Sequence, residues 1–409
     1  MGSLVKRGWA TGFSLLRRIS DIKSTRNCAD RNLIARMMMS TAVNSSPSSG
    51  IMSPPWLMLP PVFEEGGDMI YKFYNLSEDK EESFRKKRSE QMADAATAKF
   101  VGSSHGWLAL FNQRNNHLFL YNPITNRQIK LPPIETLPDP HINLAPNGRS
   151  FVRKLILSSS PDDDDECIAM MIFGPERRLA FCHPVTALNG LLLANIIIIL
   201  EMKACFRVDD LECWDLTDSL SPRIHLSWDL DCSDLTRYPK RASYSLVPIT
   251  QLNLVYVEEY NQLFLVVRCV MERMGPDGLG VSPIYYGKNK GWDNSFPYQT
   301  TWFDASKIDF AFEKPQCLEG SLDGLAMFIG LNHSIAMSLT TKSKLNSNCI
   351  YYTDSNDLPI PPSSFYGGHD IGIFDYTNRT ISPCYDFPLD IKCIKRIMPA
   401  PMWFTPCQH

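Results

Sequence analysis

What the sequence lacks narrows the field first. Its 12 cysteines are scattered singly with no C-x-x-C pair. That spacing excludes a zinc ribbon or a dense disulfide scaffold, and leaves buried free thiols in a reducing compartment as the expectation. No apolar run reaches the roughly 18 residues needed to cross a bilayer. The nearest, LNGLLLANIIIIL (188–200), carries Asn189-Gly190, which reads as a tight turn between strands, and Asn195. There is no P-loop, no H-E-x-x-H and no EF-hand loop, and GPDGLG (275–280) misses the dinucleotide pattern and reads as a hairpin loop. No cofactor and no metal is expected. The net charge of −3 supplies no overall basic field, so no nucleic-acid partner is expected either. The 22 glycines and 29 prolines are spread along the chain, which makes turns frequent and long helices improbable.

What is present begins with a charge asymmetry. Up to Pro60 there are eight Lys/Arg (Lys6, Arg7, Arg17, Arg18, Lys23, Arg26, Arg31, Arg36), two acids (Asp21, Asp30) and ten serines. The leader is thus +6, while the remainder, with 33 basic and 42 acidic residues, is −9. An Arg- and Ser-rich, acid-poor leader with helical apolar spacing (Phe13, Leu16, Ile19 and Leu15, Ile19, Ile22) has the form of an organellar transit peptide. Its cations are drawn across an energised membrane and its apolar face suits an import receptor. Arg36 stands before MMMSTAVNSSPSSG, where processing would leave a Ser/Pro spacer. A secretory signal fails because no apolar core follows the charged start, and Lys6 stands where a myristoylation site needs a hydroxyl. The division is 1–54, a disordered or helical transit peptide and spacer, and 55–409, the folded domain, with a mitochondrial destination.

From residue 61 onward short strands alternate with turns. One unit recurs: an apolar strand ending in an aromatic plus Asn or Asp, a small polar turn, and a second strand. LFLYNPITNRQIKLP (118–132) and IGIFDYTNRTISPCYDFP (371–388) share it down to Thr-Asn-Arg. YKFYNLSEDKEESF (71–84), LECWDLTDSLSPRIHL (211–226), TTWFDASKIDFAF (300–312) and RLAFCHP (178–184) are weaker echoes. The Asn or Asp can accept from backbone amides two residues on and so nucleate the turn. Strands GWLALF (106–111), LNLVYVEEYNQLFLVVR (252–268) and NCIYYTD (348–354) precede these units. Four-strand packets at irregular periods near 50 residues predict an all-β, kelch-like β-propeller of six or seven blades.

Taken in order, PWLMLP (55–60), YNLSEDK (74–80), GSSHGWL (102–108), LYNPITNRQIKLPPIETLP (120–138), ECWDL (212–216), NCIYYTD, DIGIFDYTN (370–378) and PMWFTP (401–406) resemble a plant family, domain of unknown function 295. These are the KIB-type (kinase-inhibitor-in-brassinosteroid-signalling) β-propellers. The resemblance runs from about Pro55 to Gln408. It implies a protein-binding propeller, in one branch preceded by an F-box that hooks the Skp adaptor of a cullin ubiquitin ligase. Residues 1–54 carry no F-box-like opening, so the chain resembles the organelle-targeted branch. The segment VTALNGLLLANIIIILEMKACFRV (185–208) departs from the family pattern, where a Trp-containing strand is expected.

Four stretches carry side chains capable of chemistry. Gly102-Ser103-Ser104-His105-Gly106 satisfies the G-x-S-x-G pattern, but a nucleophile elbow needs a strand before Ser104 and a helix after it. SEQMADAATAK (89–99) precedes and the strand-like WLALF follows. Ser103, Ser104 and His105 are therefore expected to satisfy turn amides, with Gly102 and Gly106 allowing close backbone and Trp107 packing between blades. His333 and His369 have no acid in a recognisable order with them. The acids at 162–166 (Asp162 to Glu166) read as a solvated loop rather than a cation site, and Arg85, Lys87 and Arg88 with Lys86 read as an exposed turn rather than a nuclear or phosphate signal. The expectation is a non-enzymatic protein-interaction propeller with no catalytic, cofactor or metal residues, whose partner is a protein. The alternative is a cullin–F-box substrate receptor of the nucleus or cytoplasm whose F-box is missing or degenerate.

Overall fold

The computed structural model describes residues 10–11, 53–65, 68–86, 98–112, 114–132, 134, 137, 151–164, 167–174, 178–184, 196–201, 210–215, 223–229, 248–271, 298–309, 315–339, 343–354, 370–385 and 400–406. Their regular structure is almost wholly strand, arranged as a β-propeller. Among them no helix is long and apolar enough to cross a membrane. The strands fall into six packets, antiparallel within each except in the sixth, where Leu325–Ile329 and Cys349–Tyr352 run parallel. The first holds Trp56–Phe63, Met69–Asn75 and Lys80–Lys86. The second runs Lys99–Ser104, Trp107–Asn112, His117–Tyr121 and Gln128–Lys130. Val152–Leu157, Ala169–Phe173 and Arg178–Cys182 make the third, with Ala10–Thr11 on its outer edge. Ile196–Glu201, Asp210–Asp215 and Arg223–Asp229 make the fourth.

The fifth packet is Ile249–Val257, Gln262–Met271, Gln299–Ile308 and Gln316–Cys317. The sixth is Leu325–Ile329, Cys349–Tyr352, Gly372–Asp375 and Thr380–Ser382. Its Leu325–Ile329 also pairs with Ile335–Ser338, which meets the fifth packet through the single pair Tyr256–Ile335. The ring closes on itself: Met402–Phe404, near the end of the chain, pairs with Trp56–Met58 at the start of the first packet. Burial of strand faces between neighbouring packets supplies the cores seen among the described residues. Trp107, Phe111 and Leu120 pack with Val152, Leu155 and Phe173 between the second and third packets, so Trp107 does sit between blades. Phe328 and Tyr351 pack with Leu57 and Trp403 at the closure.

The recurring turn is built as its sequence suggests. Asn75 Oδ1 accepts from the Ser77 amide at 3.0 Å. Asn122 Oδ1 accepts from Ile124 and Thr125, and Asp375 Oδ1 from Thr377 and Asn378. Each turn closes on a left-handed residue: Asp79 (φ 59°), Asn126 (φ 61°) and Arg379 (φ 57°). A companion feature went unread in the sequence. A tyrosine hydroxyl donates to the Asx side chain five residues on, in Tyr74–Asp79, Tyr121–Asn126 and Tyr256–Asn261, each Asx left-handed.

Two expectations are corrected. TTWFDASKIDFAF is not strand–turn–strand at Asp304, because Gln299–Ile308 continues as one strand. The reason is that buried Asp304 is taken up by the Trp302 indole N–H at 3.0 Å and by Arg379 at 3.7 Å, not by its own backbone. The residues before Ser104 are not all non-strand either, since Lys99–Ser104 lines the ring as the innermost strand of the second packet. In the departing segment, Ile196–Glu201 pairs along its whole length with Asp210–Asp215. Asn189-Gly190, the helical spacing from Phe13 to Ile22, GPDGLG and His369 lie outside the described residues.

Candidate functional site

The G-x-S-x-G segment sits at the ring's axis. Ser104 and Trp107 are cross-strand partners, so His105-Gly106 is a two-residue hairpin turn. Both residues have positive φ (48° and 77°), the requirement of a type I′ turn. A strand precedes Ser104, but a strand also follows the turn. Ser104 Oγ accepts from the Leu157 amide of the third packet at 3.1 Å, so its partner is a neighbouring strand rather than a turn amide. Gly102 has a packing reason: a Cβ there would lie 1.8 Å from the Leu155 carbonyl oxygen. The two innermost strands approach where only glycine fits.

The turn at 330–334 of the sixth packet enters the axis and touches three other packets. The His333 amide donates to the Ser103 carbonyl at 2.7 Å. Lys154 Nζ, on the third packet, donates to the Gly330 carbonyl at 2.9 Å across 176 residues of sequence. Leu331 joins Met58, Met69 and Met402 of the first packet in one apolar cluster. The His105 and His333 rings lie 5.5 Å apart and tilted by 49°. Burial, then repulsion from His105 and Lys154, drives the His333 pKa down to about 3. His333 is thus a neutral imidazole inside a plug. Gly330 lies so close to Thr353 that a Cβ would meet its Oγ1 at 2.1 Å.

A second polar centre stitches the fifth packet to the sixth. Arg268 donates through Nε to Thr300 Oγ1 (2.7 Å), through Nη1 to the Thr353 carbonyl (2.7 Å) and through Nη2 to Asp370 Oδ2 (2.9 Å). Thr300 donates to the same carboxylate oxygen from its amide at 2.8 Å and its hydroxyl at 2.6 Å. Asp354 Oδ1 accepts from Tyr298 OH at 2.5 Å and from the Asp370 amide at 3.3 Å. Burial pushes the Asp370 carboxyl up, Arg268 pulls it back, and Asp354 raises it again. The guanidinium also lies 5.0 Å over the Tyr352 ring. The sequence reading missed this network, though a lone arginine inside the apolar strand QLFLVVRCVM was its signal.

Several charged residues of the acidic and basic runs take part in ion pairs and hydrogen bonds. Asp162 pairs with Arg127, and Asp164 accepts from Ser159 Oγ at 2.6 Å. Arg85 pairs with Glu64 and with Asp68. Lys86 lies 3.6 Å over the Tyr121 ring, and burial lowers its pKa to about 8. Lys87, Arg88 and Glu166 lie outside the described residues. Among the described residues no group of three or more His, Cys, Asp or Glu is placed to hold a metal. Cys167, Cys182, Cys269 and Cys349 are buried free thiols.

The family model of the KIB1-4 beta-propeller matches residues 73–375, about three quarters of the sequence. The chain belongs to that family. Both polar centres of this KIB1-4 propeller fall within the match, from Ser103 to Asp370. Its closing strands, Trp56–Phe63 and Met402–Phe404, extend the ring beyond it. No curated protein matches the chain.

Proposed function

We propose that this KIB1-4 propeller is a non-enzymatic protein-interaction module of the organelle-targeted branch that lacks an F-box, imported into mitochondria. The observation that carries the reading is the use made of the chemistry-bearing side chains. Ser104, Lys154, Arg268, Asp354 and Asp370 are each consumed in bonds between packets, Lys154 reaching from the third to the sixth. A rigid ring stabilised in this way presents loops of free sequence, a form suited to protein recognition. The Arg/Ser-rich leader supports the mitochondrial destination.

The test fuses residues 1–60 to a fluorescent protein and purifies the tagged full chain. Mitochondrial fluorescence without a co-purified Skp adaptor is expected. Nuclear or cytosolic fluorescence with stoichiometric Skp adaptor would replace this reading with that of a cullin-ligase substrate receptor.

A further inference from the structure

Few large apolar side chains face solvent: among the described residues they are Val62, Tyr256, Tyr260 and Ile381. Two of these share one tight turn, where Ile249–Val257 passes through Glu258–Tyr260 into Gln262–Met271. Tyr256 is 42% and Tyr260 54% exposed. Both rings are nonetheless tethered. The Tyr256 hydroxyl donates to Asn261 Oδ1 at 2.6 Å, and the Tyr260 hydroxyl and Ser338 Oγ share a hydrogen bond of 2.7 Å. Ser338 belongs to the strand that meets this packet through Tyr256–Ile335, so the two rings lie at the seam of the fifth and sixth packets. Tyrosine rings held in place lose little entropy when covered, and such side chains carry much of the binding energy in protein interfaces.

The charge around the turn selects what covers it. Glu259 is exposed next to Tyr260, while Arg268, the one base of this hairpin, is buried. On the adjoining strand Lys307 is taken up by Asp323 at 2.6 Å. The chain beyond Pro60 carries a net −9. An acidic surface repels nucleic acid and anionic lipid and attracts a basic polypeptide. We propose that the Tyr256–Tyr260 turn is a docking site for an arginine-bearing segment of a protein partner, whose guanidinium stacks on the tyrosine rings and pairs with Glu259. Arginine is favoured over lysine because its planar, weakly hydrated head stacks on an aromatic face. The site rests on the protein-interaction reading above and adds the chemistry of the partner.

The probe is a nona-arginine peptide bearing one photoreactive group, added to the full chain at about 0.15 M salt, where only close charge pairs survive screening. Crosslinks should concentrate on residues 256–262. Tyr256→Ala, Tyr260→Ala and Glu259→Gln should each weaken binding about two- to fivefold. Val62→Ala, at an exposed apolar residue of the first packet, should leave it unchanged. A comparison on the wild type needs no variant to fold: nona-lysine should bind about two- to fivefold more weakly than nona-arginine. Crosslinks spread over the ring, equal affinity for the two peptides, or unchanged binding in all three variants would each overturn the site and leave the interaction reading standing. That reading fails separately, and the site with it, if proximity labelling around the full chain enriches no protein over the free labelling enzyme.

Discussion

Arg268 and Asp370 form an ion pair of 2.9 Å with 3% and 4% of their side chains exposed. Breaking one side of such a pair leaves a buried, unpaired charge. Arg268→Ala should therefore cost about 3–5 kcal/mol in urea unfolding of the full chain. The cost of the double variant with Asp370→Ala should fall short of the sum of the singles by about 0.5–3 kcal/mol. Strictly additive losses would show that the two residues do not act as a unit.

The axial plug makes stability depend on acid. His333 is held at about 3, below the roughly 6.5 of an unfolded histidine, so the unfolded chain binds the extra proton between those values. Its contribution is fully present above pH 6.5 and is lost as pH falls toward 3, a total on the order of 5 kcal/mol. The groups facing it, His105 and Lys154, both oppose its protonation. Urea unfolding across pH 4–7 should be steeper in the wild type than in His333→Asn. Parallel curves would contradict the buried neutral imidazole.

Two glycines of the same motif should respond differently to alanine. At Gly102 the added Cβ would lie 1.8 Å from the Leu155 oxygen, so the second and third packets must part. Gly102→Ala should abolish soluble folded protein. At Gly106 the left-handed φ of 77° is the main obstacle, worth about 1–2 kcal/mol. Gly106→Ala should still fold, with a Tm lower by several degrees. Comparing yield and melting temperature of the two decides it.

Ser104→Ala removes the acceptor for the buried Leu157 amide and should destabilise the ring by about 1–3 kcal/mol. Any ester hydrolysis measured in the wild type should survive the change in the folded fraction. Loss of hydrolysis at unchanged folded fraction would restore Ser104 as a nucleophile.

The parts of this fold legible in the sequence are those fixed locally. Asn122 and Asp375 bond amides two and three residues away, so their turns can be read from the letters alone. Asp304 carries the same local signature and misleads, because Trp302 and the distant Arg379 claim its carboxylate. Lys99–Ser104 escaped notice for a related reason. Gly102 and Ser104 are poor strand formers kept for contacts with Leu155 and Leu157 on another packet. The hub was least legible, since Lys154 and Gly330 meet across 176 residues and nothing near either announces the other.

The pairing of Met402–Phe404 with Trp56–Met58 also sets a schedule. Trp56–Met58 leaves the ribosome about 340 residues ahead of the Met402–Phe404 strand that completes its packet. At about 5–20 residues per second, the chain spends roughly 17–70 s as an unclosed ribbon. Throughout that interval the basic leader travels ahead of a body that has not yet become a ring. A chain translated more slowly near its C-terminus would lengthen that open period, giving codon usage over the last strand a say in how long the ribbon remains unwound.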